Sequence, residues 1–363
     1  MKTAKEAYNQ HLRRMQKAIA LEKTDRTPVL ITTDSFYSNN IDVKLPEFCA
    51  NAELSSQTIL DSLKHLGDVD AIDFCTSHAL SLKLKQLLGV KLQENTLYQI
   101  YKKRLMTEED YDTILNKGFE YFFTDYVESR LNLDMNKTFK QPEYFSIAQQ
   151  KFEKEGFVTC CTVLSSFEVD YLITGRTLEN FVKDLHKMPD KVFAVLDVIH
   201  EYHIKSLRQQ IRSTKPFSVF VSTIRDASQF YSKKHWDRII GKYYKSIADM
   251  VIEEGSIVQW HINGGYDKDL NFFRDFPKGK CIFAPDSTMN IYKVKEVLGD
   301  IMAIQCNTPL ALLTLGTPDE VYDYCAKLVK DMGSGFIMGS GYCVPYNAKM
   351  ENVQAMVAAA TGR

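Results

Sequence analysis

Ionisable and polar side chains follow several short apolar segments of this chain, at the points where those segments end. The most suggestive is His261, which follows Ile-Val-Gln-Trp and precedes Ile-Asn263 and two glycines. A neutral imidazole beside accessible backbone could bind a metal, transfer a proton or hydrogen-bond a substrate. The alternative is a structural histidine whose ring nitrogens are satisfied within the protein. We therefore treat His261 as a candidate catalytic residue.

Two further candidates lie in the glycine-rich sequence Gly339-Ser-Gly-Tyr342-Cys343. A thiolate near an imidazole suits zinc, so Cys343 and His261 are candidate metal ligands, although their spacing is not that of a zinc motif. Tyr342 is a candidate catalytic residue because a phenol can donate a proton. Asp286, also a catalytic candidate, could orient His261, bind substrate or cap the helix that follows.

Five polar residues at comparable positions are candidates for substrate binding. His78 and Arg225 could bind an anionic group, although Arg225 next to Asp226 could equally be an exposed structural contact. The five are Asp34, His78, Arg225, Asn263 and Asn307.

Eight strand-like segments position these residues and alternate with longer helical patterns. Most are rich in Val, Ile, Phe and Cys without polar alternation, which is typical of parallel strands buried on both faces. They cover residues 28–33, 70–74, 157–162, 218–222, 257–261, 280–283, 301–305 and 335–338. Eight such segments predict an α/β fold of the (β/α)₈ TIM-barrel type, in which working residues lie at the carboxyl ends of the strands.

Helix starts are predicted at Thr107-Glu-Glu-Asp110 and at Thr317-Pro-Asp-Glu320, each with a capping Thr hydroxyl and an acid three residues later, and also at Pro189. All three have structural roles. Residues 84–144 interrupt the strand–helix rhythm and predict a helical insertion between strands two and three. Its aromatic residues could line a pocket mouth or a dimer face, but a small helical subdomain packed on the barrel is the simpler interpretation. Because no Gly/Ser linker divides the chain, we expect a single domain over residues 1–363.

Composition excludes several classes of function. With 45 basic and 46 acidic residues the net charge is −1, which gives no electrostatic reason to expect binding to nucleic acid or to an anionic membrane. No segment approaches the ~20 apolar residues of a membrane span, and the first 14 residues lack the apolar core of a signal peptide. The eight cysteines are scattered without a CxxC pair, which fits the reducing cytoplasm. We expect a cytoplasmic protein.

From about Lys215 to the C-terminus the chain resembles the uroporphyrinogen decarboxylase superfamily. Upstream, Thr24-Asp-Arg-Thr-Pro-Val29 resembles the family's entry into the first strand. The C-terminal matches are His261-Ile-Asn263, Pro277-Lys-Gly-Lys-Cys281, Ile291-Tyr-Lys-Val-Lys-Glu-Val-Leu-Gly299, Gly316-Thr-Pro-Asp-Glu-Val321, Tyr342-Cys343-Val-Pro345 and Ala348-Lys-Met-Glu-Asn-Val353. The resemblance covers most of the chain and implies the barrel fold already predicted.

One branch of that family decarboxylates uroporphyrinogen, with an arginine-rich segment near the first strand and an aspartate after the second. Here the first-strand loop reads Thr-Thr-Asp-Ser-Phe-Tyr, and Thr76 takes the place of the aspartate. The resemblance therefore argues against porphyrinogen as the substrate. It leaves a metal-independent decarboxylase or lyase as an alternative, with Arg225 and His78 binding a small carboxylated substrate and His261 or Tyr342 as the acid.

The other branch transfers methyl groups to or from a corrinoid protein, often through zinc held by His-x-Cys after strand five and Gly-Cys after strand eight. His261 matches the histidine, but Asn263 and Tyr342 occupy the cysteine positions, and Cys343 comes one residue late. Three hypotheses remain for the site. It could hold a metal differently through His261, Cys343 or Asp286; it could act without metal through His261 and Tyr342; or it could only bind a small molecule.

Our leading expectation from the resemblance is a substrate-specific methyltransferase, the demethylating component of a larger system. It would pass a methyl group from a small molecule to a separate corrinoid protein. The corrinoid must come from that partner, because this chain contains no Asp-x-His-x-x-Gly sequence. Zinc is the cofactor that the resemblance implies for the chain itself, and a homodimer is compatible with the sequence.

Overall fold

Short parallel strands recur through the chain and pair in sequence order. The computed structural model describes residues 3–33, 35–77, 90–93, 96–100, 105–130, 142–165, 168–222, 231–266 and 268–362. The strands of the barrel are β1 (Leu30–Ile31), β2 (Ala71–Ile72), β5 (Val158–Thr159), β6 (Cys161–Ser165), β7 (Ser218–Ser222), β8 (Ile257–His261), β9 (Cys281–Ala284), β10 (Ala303–Gln305) and β11 (Phe336–Ile337).

Two parallel sheets together make the ring: β1-β2-β5 and the six strands from β6 to β11. The strands β5 and β6 are two parts of one barrel strand, separated by Cys160, whose backbone N–H donates to the Ile72 carbonyl at 2.8 Å. Strand one meets strand eight where the Leu30 N–H donates to the Met338 carbonyl at 3.0 Å. The eight predicted strands therefore form the ring of a (β/α)₈ barrel, and this prediction is confirmed.

The barrel interior is apolar towards the amino ends of the strands. Leu30, Ala71, Val158 and Ile282 belong to one buried cluster, and helix α1 (Ala4–Ile19) adds Met15, Ala18 and Ile19 to it. Helix α1 therefore closes the amino-terminal end of the barrel, and burial of these side chains stabilises the closed ring.

An ion-pair cluster ties the first two strands to helix α1. The Asp70 carboxylate is fully buried and accepts hydrogen bonds from the guanidinium groups of Arg14 and Arg26 and, at 2.8 Å, from the Val29 N–H. Arg14 also binds Asp25 through two hydrogen bonds of 2.7 Å. The Thr24-Asp-Arg-Thr-Pro-Val29 sequence therefore has a structural role, since it supplies two members of this cluster.

The helices surround the barrel, and none of those described is long and apolar enough to cross a membrane. After α1 they are α2 (Phe36–Asn40), α3 (Leu45–Ala50), α4 (Ala52–Leu66), α5 (Glu109–Lys117), α6 (Phe119–Asp125), α7 (Pro142–Lys154), α8 (Glu168–Arg176), α9 (Leu178–Lys187), α10 (Pro189–Thr214), α11 (Lys233–Trp236), α12 (Lys242–Glu253), α13 (Ile291–Leu298), α14 (Leu310–Leu315), α15 (Pro318–Met332) and α16 (Met350–Thr361).

Two of the three predicted helix starts are confirmed: Pro189 begins α10, and Thr317 and Glu320 form a capping box at the start of α15. The prediction of a Thr107 hydroxyl cap is wrong. Helix α5 begins at Glu109, and the carboxylate of Asp110 accepts the Thr107 N–H at 2.7 Å instead.

The insertion lies between strands two and three, as predicted, and contains a two-stranded antiparallel hairpin besides helices. The hairpin pairs β3 (Val90–Gln93) with β4 (Thr96–Ile100). In the helical part, the Phe119 ring contacts Tyr171 of α8 and Tyr202 of α10, with centroids 5.3 and 5.4 Å apart. These contacts agree with a subdomain packed on the barrel.

Candidate functional site

An aromatic cluster lies inside the barrel at the carboxyl ends of the strands. The ring of His261, at the end of β8, lies 4.6 Å from the Phe220 ring and 4.5 Å from the Tyr342 ring, centroid to centroid. Phe220 in turn contacts Phe74 at 5.2 Å. We call these four residues the strand-end aromatic cluster. His261 is only 3 % exposed, so a ligand that reaches its ring must enter the barrel mouth.

Residues 339–344, which we call the strand-eight loop, bring Tyr342 to this cluster. Backbone hydrogen bonds hold the loop at both ends. The Gly341 N–H donates to the Thr308 carbonyl at 2.9 Å, and the Val344 N–H donates to the Thr32 carbonyl at 2.8 Å. The Thr33 hydroxyl adds a 2.9 Å hydrogen bond to the Val344 carbonyl. The loop therefore spans strands seven and one, next to β11.

Asn307 lies directly under this loop. Its side chain is 4 % exposed, and its Nδ2 donates to the Met289 carbonyl at 3.4 Å. Its Oδ1 is buried and accepts no hydrogen bond from the described residues. A Cβ on Gly341 would lie 2.4 Å from that oxygen, so only glycine fits where the loop passes Asn307. The oxygen is a candidate acceptor for a ligand hydrogen.

Asp286 and Asn263 also come to the carboxyl ends of the strands, where both are partly buried. The Asp286 carboxylate accepts the Thr288 N–H at 2.8 Å and so closes a turn after β9. The cap of the following helix α13 is Asn290, not Asp286, because the Asn290 side chain accepts the first free N–H groups of that helix. The predicted cap is thus a turn-closing contact.

The remaining predicted substrate-binding residues, Asp34, His78 and Arg225, lie outside the described residues. Of the predicted site, the structure brings together His261 and Tyr342 in direct contact. It also places Cys343 beside Tyr342 in the strand-eight loop, partly exposed.

The donor set does not fit the zinc site that the family resemblance implies. Within the described parts of the chain, no group of three or more His, Cys, Asp or Glu side chains is placed to hold a metal ion. Asn263 and Tyr342 occupy the positions of the implied thiolates, and an amide and a phenol are poor substitutes for them. His261 and Cys343 alone do not make a three-ligand site.

Sequence reasoning missed a buried acid one layer deeper in the barrel. Asp73 follows β2 and is fully buried, and its carboxylate accepts hydrogen bonds from the Thr32 hydroxyl and, at 2.9 Å, from Gln259 Nε2. Burial raises the pKa of Asp73 to about 6, because its effect outweighs that of these hydrogen bonds, which lower the pKa. The only sequence signal is one carboxylate within the apolar segment Ala-Ile-Asp-Phe.

A second buried acid joins three helices outside the barrel. Oε1 of Glu168, at the start of α8, accepts hydrogen bonds from His200 at 2.6 Å and His203 at 2.9 Å, both on α10. His200 also contacts Ser246 of α12 at 2.8 Å. Burial alone would raise the pKa of Glu168, but the two imidazoles outweigh it and lower the pKa to about 2.

A ring of eight parallel strands with polar side chains at their carboxyl ends defines the class of α/β-barrel proteins whose sites lie in the barrel mouth. Residues 149–362 match the model of the uroporphyrinogen decarboxylase (URO-D) family. The chain belongs to this family, which confirms the resemblance found in the sequence.

Among solved structures, the fold is similar to that of a methyltransferase from Methanosarcina mazei. The TM-score is 0.73 at 16 % sequence identity, over 96 % of this chain and 97 % of that one. At this identity the likeness concerns the fold. No curated protein matches the sequence significantly.

Proposed function

We propose that this protein is a methyltransferase that moves a methyl group from a small molecule to a separate corrinoid protein. The observation that carries the proposal is the contact of the His261 ring with Tyr342 at the carboxyl ends of the strands. An N–H or O–H donor and apolar ring surface there suit a methyl group bonded to a heteroatom. Family membership and the fold likeness to a methyltransferase support it further.

In this proposal, Phe74 and Phe220 offer the apolar surface against which the methyl group lies. His261 or Tyr342 donates a proton to the heteroatom as its bond to the methyl carbon breaks, because the heteroatom keeps the bonding electron pair. The buried Oδ1 of Asn307 can accept a hydrogen bond from the same ligand and orient it. The corrinoid of the partner is the methyl acceptor and supplies the nucleophile.

The corrinoid partner would dock over the barrel mouth, since the acceptor must reach the bound methyl group. A cytoplasmic location fits this proposal, because none of the eight cysteines forms a disulfide. A homodimer stays a prediction from the aromatic insertion.

The test is methyl transfer with purified protein. Free cob(I)alamin or a reduced corrinoid protein is mixed with a panel of methyl ethers, methylamines and methyl thioethers, and methyl–cobalt absorbance is followed. We expect one donor to react, with His261→Ala lowering the rate at least 100-fold, as loss of a proton donor does. His65→Ala is the matched control and should leave the rate unchanged, because His65 is exposed in the last turn of α4, which leads into the amino end of strand two. No transfer with any donor or acceptor would refute the proposal.

The second candidate is a metal-independent decarboxylase or lyase, favoured by the family match itself. Thr76, at the position of the family's aspartate, is buried, and its hydroxyl has no hydrogen-bond partner among the described residues. A small carboxylated substrate could use that hydroxyl where a porphyrinogen would need a carboxylate. Release of carbon dioxide from such a substrate, without any corrinoid, would favour this candidate over methyl transfer.

A further inference from the structure

A network of buried polar side chains crosses the barrel one layer below the strand-end aromatic cluster. Gln259 and His261 lie two residues apart on β8, as do Ser218 and Phe220 on β7, so each pair faces the same side of its strand. None of the network residues is more than 2 % exposed, and none has a part in the proposed reaction. They are Thr32, Asp73, Cys161, Ser218, Gln259 and Gln305.

The hydrogen bonds of this network run in one direction and end on Asp73. Gln305 Nε2 donates to the Thr32 hydroxyl at 2.8 Å, and that hydroxyl donates to Asp73. Gln259 Nε2 donates to Asp73 at 2.9 Å and to Gln305 Oε1 at 3.1 Å. An ionised carboxylate, which only accepts, satisfies this pattern, whereas a side-chain amide at position 73 would set a donor against a donor.

The side-chain carbonyl oxygen of Gln259 also has hydrogen-bond partners. Its Oε1 accepts the Ser218 hydroxyl at 3.1 Å and lies 3.1 Å from the Cys161 sulfur. Gln259 therefore cannot rotate its amide to adapt to a changed residue 73 without losing these contacts.

A buried carboxylate without a cation is costly. Among the described residues, no basic side chain forms an ion pair with Asp73, and its hydrogen-bond donors are neutral. Burying such a charge costs free energy that an apolar residue at this place would avoid, and such groups concentrate at functional sites. Strand packing alone does not account for it.

The network reaches the strand-eight loop at two points. A Cβ on Gly339 would lie 3.3 Å from Gln305 Nε2, so the Gln305 side chain lies next to the start of the loop. At the other end, the Val344 N–H binds the carbonyl of Thr32, the residue whose hydroxyl donates to Asp73. Asp73 thus binds Thr32 directly and reaches Gln305 through Thr32 and Gln259. These two residues adjoin the loop, Thr32 through its backbone carbonyl and Gln305 through its side chain.

We propose that Asp73 is a positioning residue that fixes the strand-eight loop, and with it Tyr342 and Cys343, through Thr32 and Gln305. It does not touch the ligand. Its effect on catalysis rests on the proposed function, but its effect on the loop does not.

Cys343 reports on the loop directly, because it is partly exposed and the other seven cysteines are buried. Its reaction with 4,4′-dithiodipyridine under native conditions is timed in the wild type and in Asp73→Asn. We expect about a tenfold faster reaction in Asp73→Asn, the effect of losing roughly one hydrogen bond that holds the loop closed. Cys343→Ser confirms which thiol reacts.

Asp184→Asn is the matched control. This carboxylate is 2 % exposed, and it binds Arg176 and Tyr111, all three residues lying on helices rather than on the strands of the barrel. If Asp184→Asn raises the reaction rate of Cys343 as much as Asp73→Asn does, general loosening of the fold explains the effect and the proposal is overturned. An unchanged Cys343 rate in Asp73→Asn overturns it too.

Thr32→Val is the second variant, to be used if Asp73→Asn does not fold. It keeps the backbone carbonyl and the size of the side chain but removes the hydroxyl. We expect the same acceleration there, and an unchanged rate counts against the proposal. The two proposals fail separately. If the Asp73→Asn loop loosens but the wild type transfers no methyl group, only the proposed function is refuted. If the wild type transfers a methyl group but the Cys343 rate is unchanged in Asp73→Asn, only the role of Asp73 is refuted.

Discussion

The buried carboxylate of Asp73 makes the stability of the protein depend on pH in an unusual direction. Its pKa rises from the usual 3.8 to about 6 on folding, so between these values the folded protein holds a proton that the unfolded chain has lost. Stability therefore falls as pH rises through this window. The difference of about 2.2 between 6 and 3.8, at 1.36 kcal/mol per unit, amounts to about 3 kcal/mol.

Replacing Asp73 with Asn removes this dependence without changing the size of the side chain. We expect the free energy of unfolding of the wild type, minus that of Asp73→Asn, to decrease by about 3 kcal/mol from below pH 4 to above pH 6. Any constant penalty from mismatched hydrogen bonds in the variant cancels from this change. The nearby titratable groups do not intervene, because burial keeps the pKa of the Cys160 and Cys161 thiols well above their usual value.

The assay is urea unfolding followed by circular dichroism at half-unit steps from pH 3 to pH 8, with the two proteins measured in parallel. A difference that is flat with pH would mean that Asp73 titrates alike in the folded and unfolded states. A difference that rises with pH would mean that a cation compensates the carboxylate. Either result would refute the assignment of Asp73 as an uncompensated buried acid.

Three further outcomes are expected. Glu168→Gln should remove about 3 kcal/mol of the free energy of unfolding that the wild type has above pH 4.5 and loses as pH falls towards 2. The reason is that the ionised Glu168 carboxylate stabilises the fold, and acid unfolding curves of both proteins measure the effect. Gly341→Ala should lower methyl-transfer activity about tenfold or more, because its Cβ would displace the loop at Asn307 and Ser287. Arg14→Met should cost about 3–5 kcal/mol in urea unfolding, since it leaves the Asp70 carboxylate buried with one partner fewer; a cost below 1 kcal/mol would contradict the structural role of that cluster.

The strands could be predicted from the sequence because the buried parallel strands of a barrel are continuous apolar segments. Ser218–Ser222 and Ile257–His261 match at both ends, whereas the predicted 28–33 and 70–74 shorten to two residues each. These segments contain polar residues, Thr32 and Asp73, that bind side chains across the barrel. The hairpin in the insertion was missed because a segment rich in charged and aromatic residues does not by itself separate strands from helices.

The sequence supplied candidate site residues one by one but not their arrangement. The strand-end rule of the barrel fold placed His261 and Tyr342 on the same side of the molecule, although they are far apart in the sequence. Their ring contact depends on the path of the strand-eight loop, which Asn307 and Gly341 determine. The Asp73 network was beyond sequence reasoning, because its residues come from six strands and look individually like polar interruptions of apolar segments.

The strand-eight loop is anchored independently of the side chains that it brings to the site. Backbone groups of Thr32 and Thr308 hold the loop, and neither hydrogen bond involves the side chain of residue 342 or 343. A thiol, a phenol or another side chain at these two positions would therefore leave the anchoring of the loop intact. This is a physical account of how one family fold can present Tyr342 beside His261 where the family resemblance implies a thiolate. Under the proposed function, we expect the residue at 342, rather than the fold, to determine the reaction.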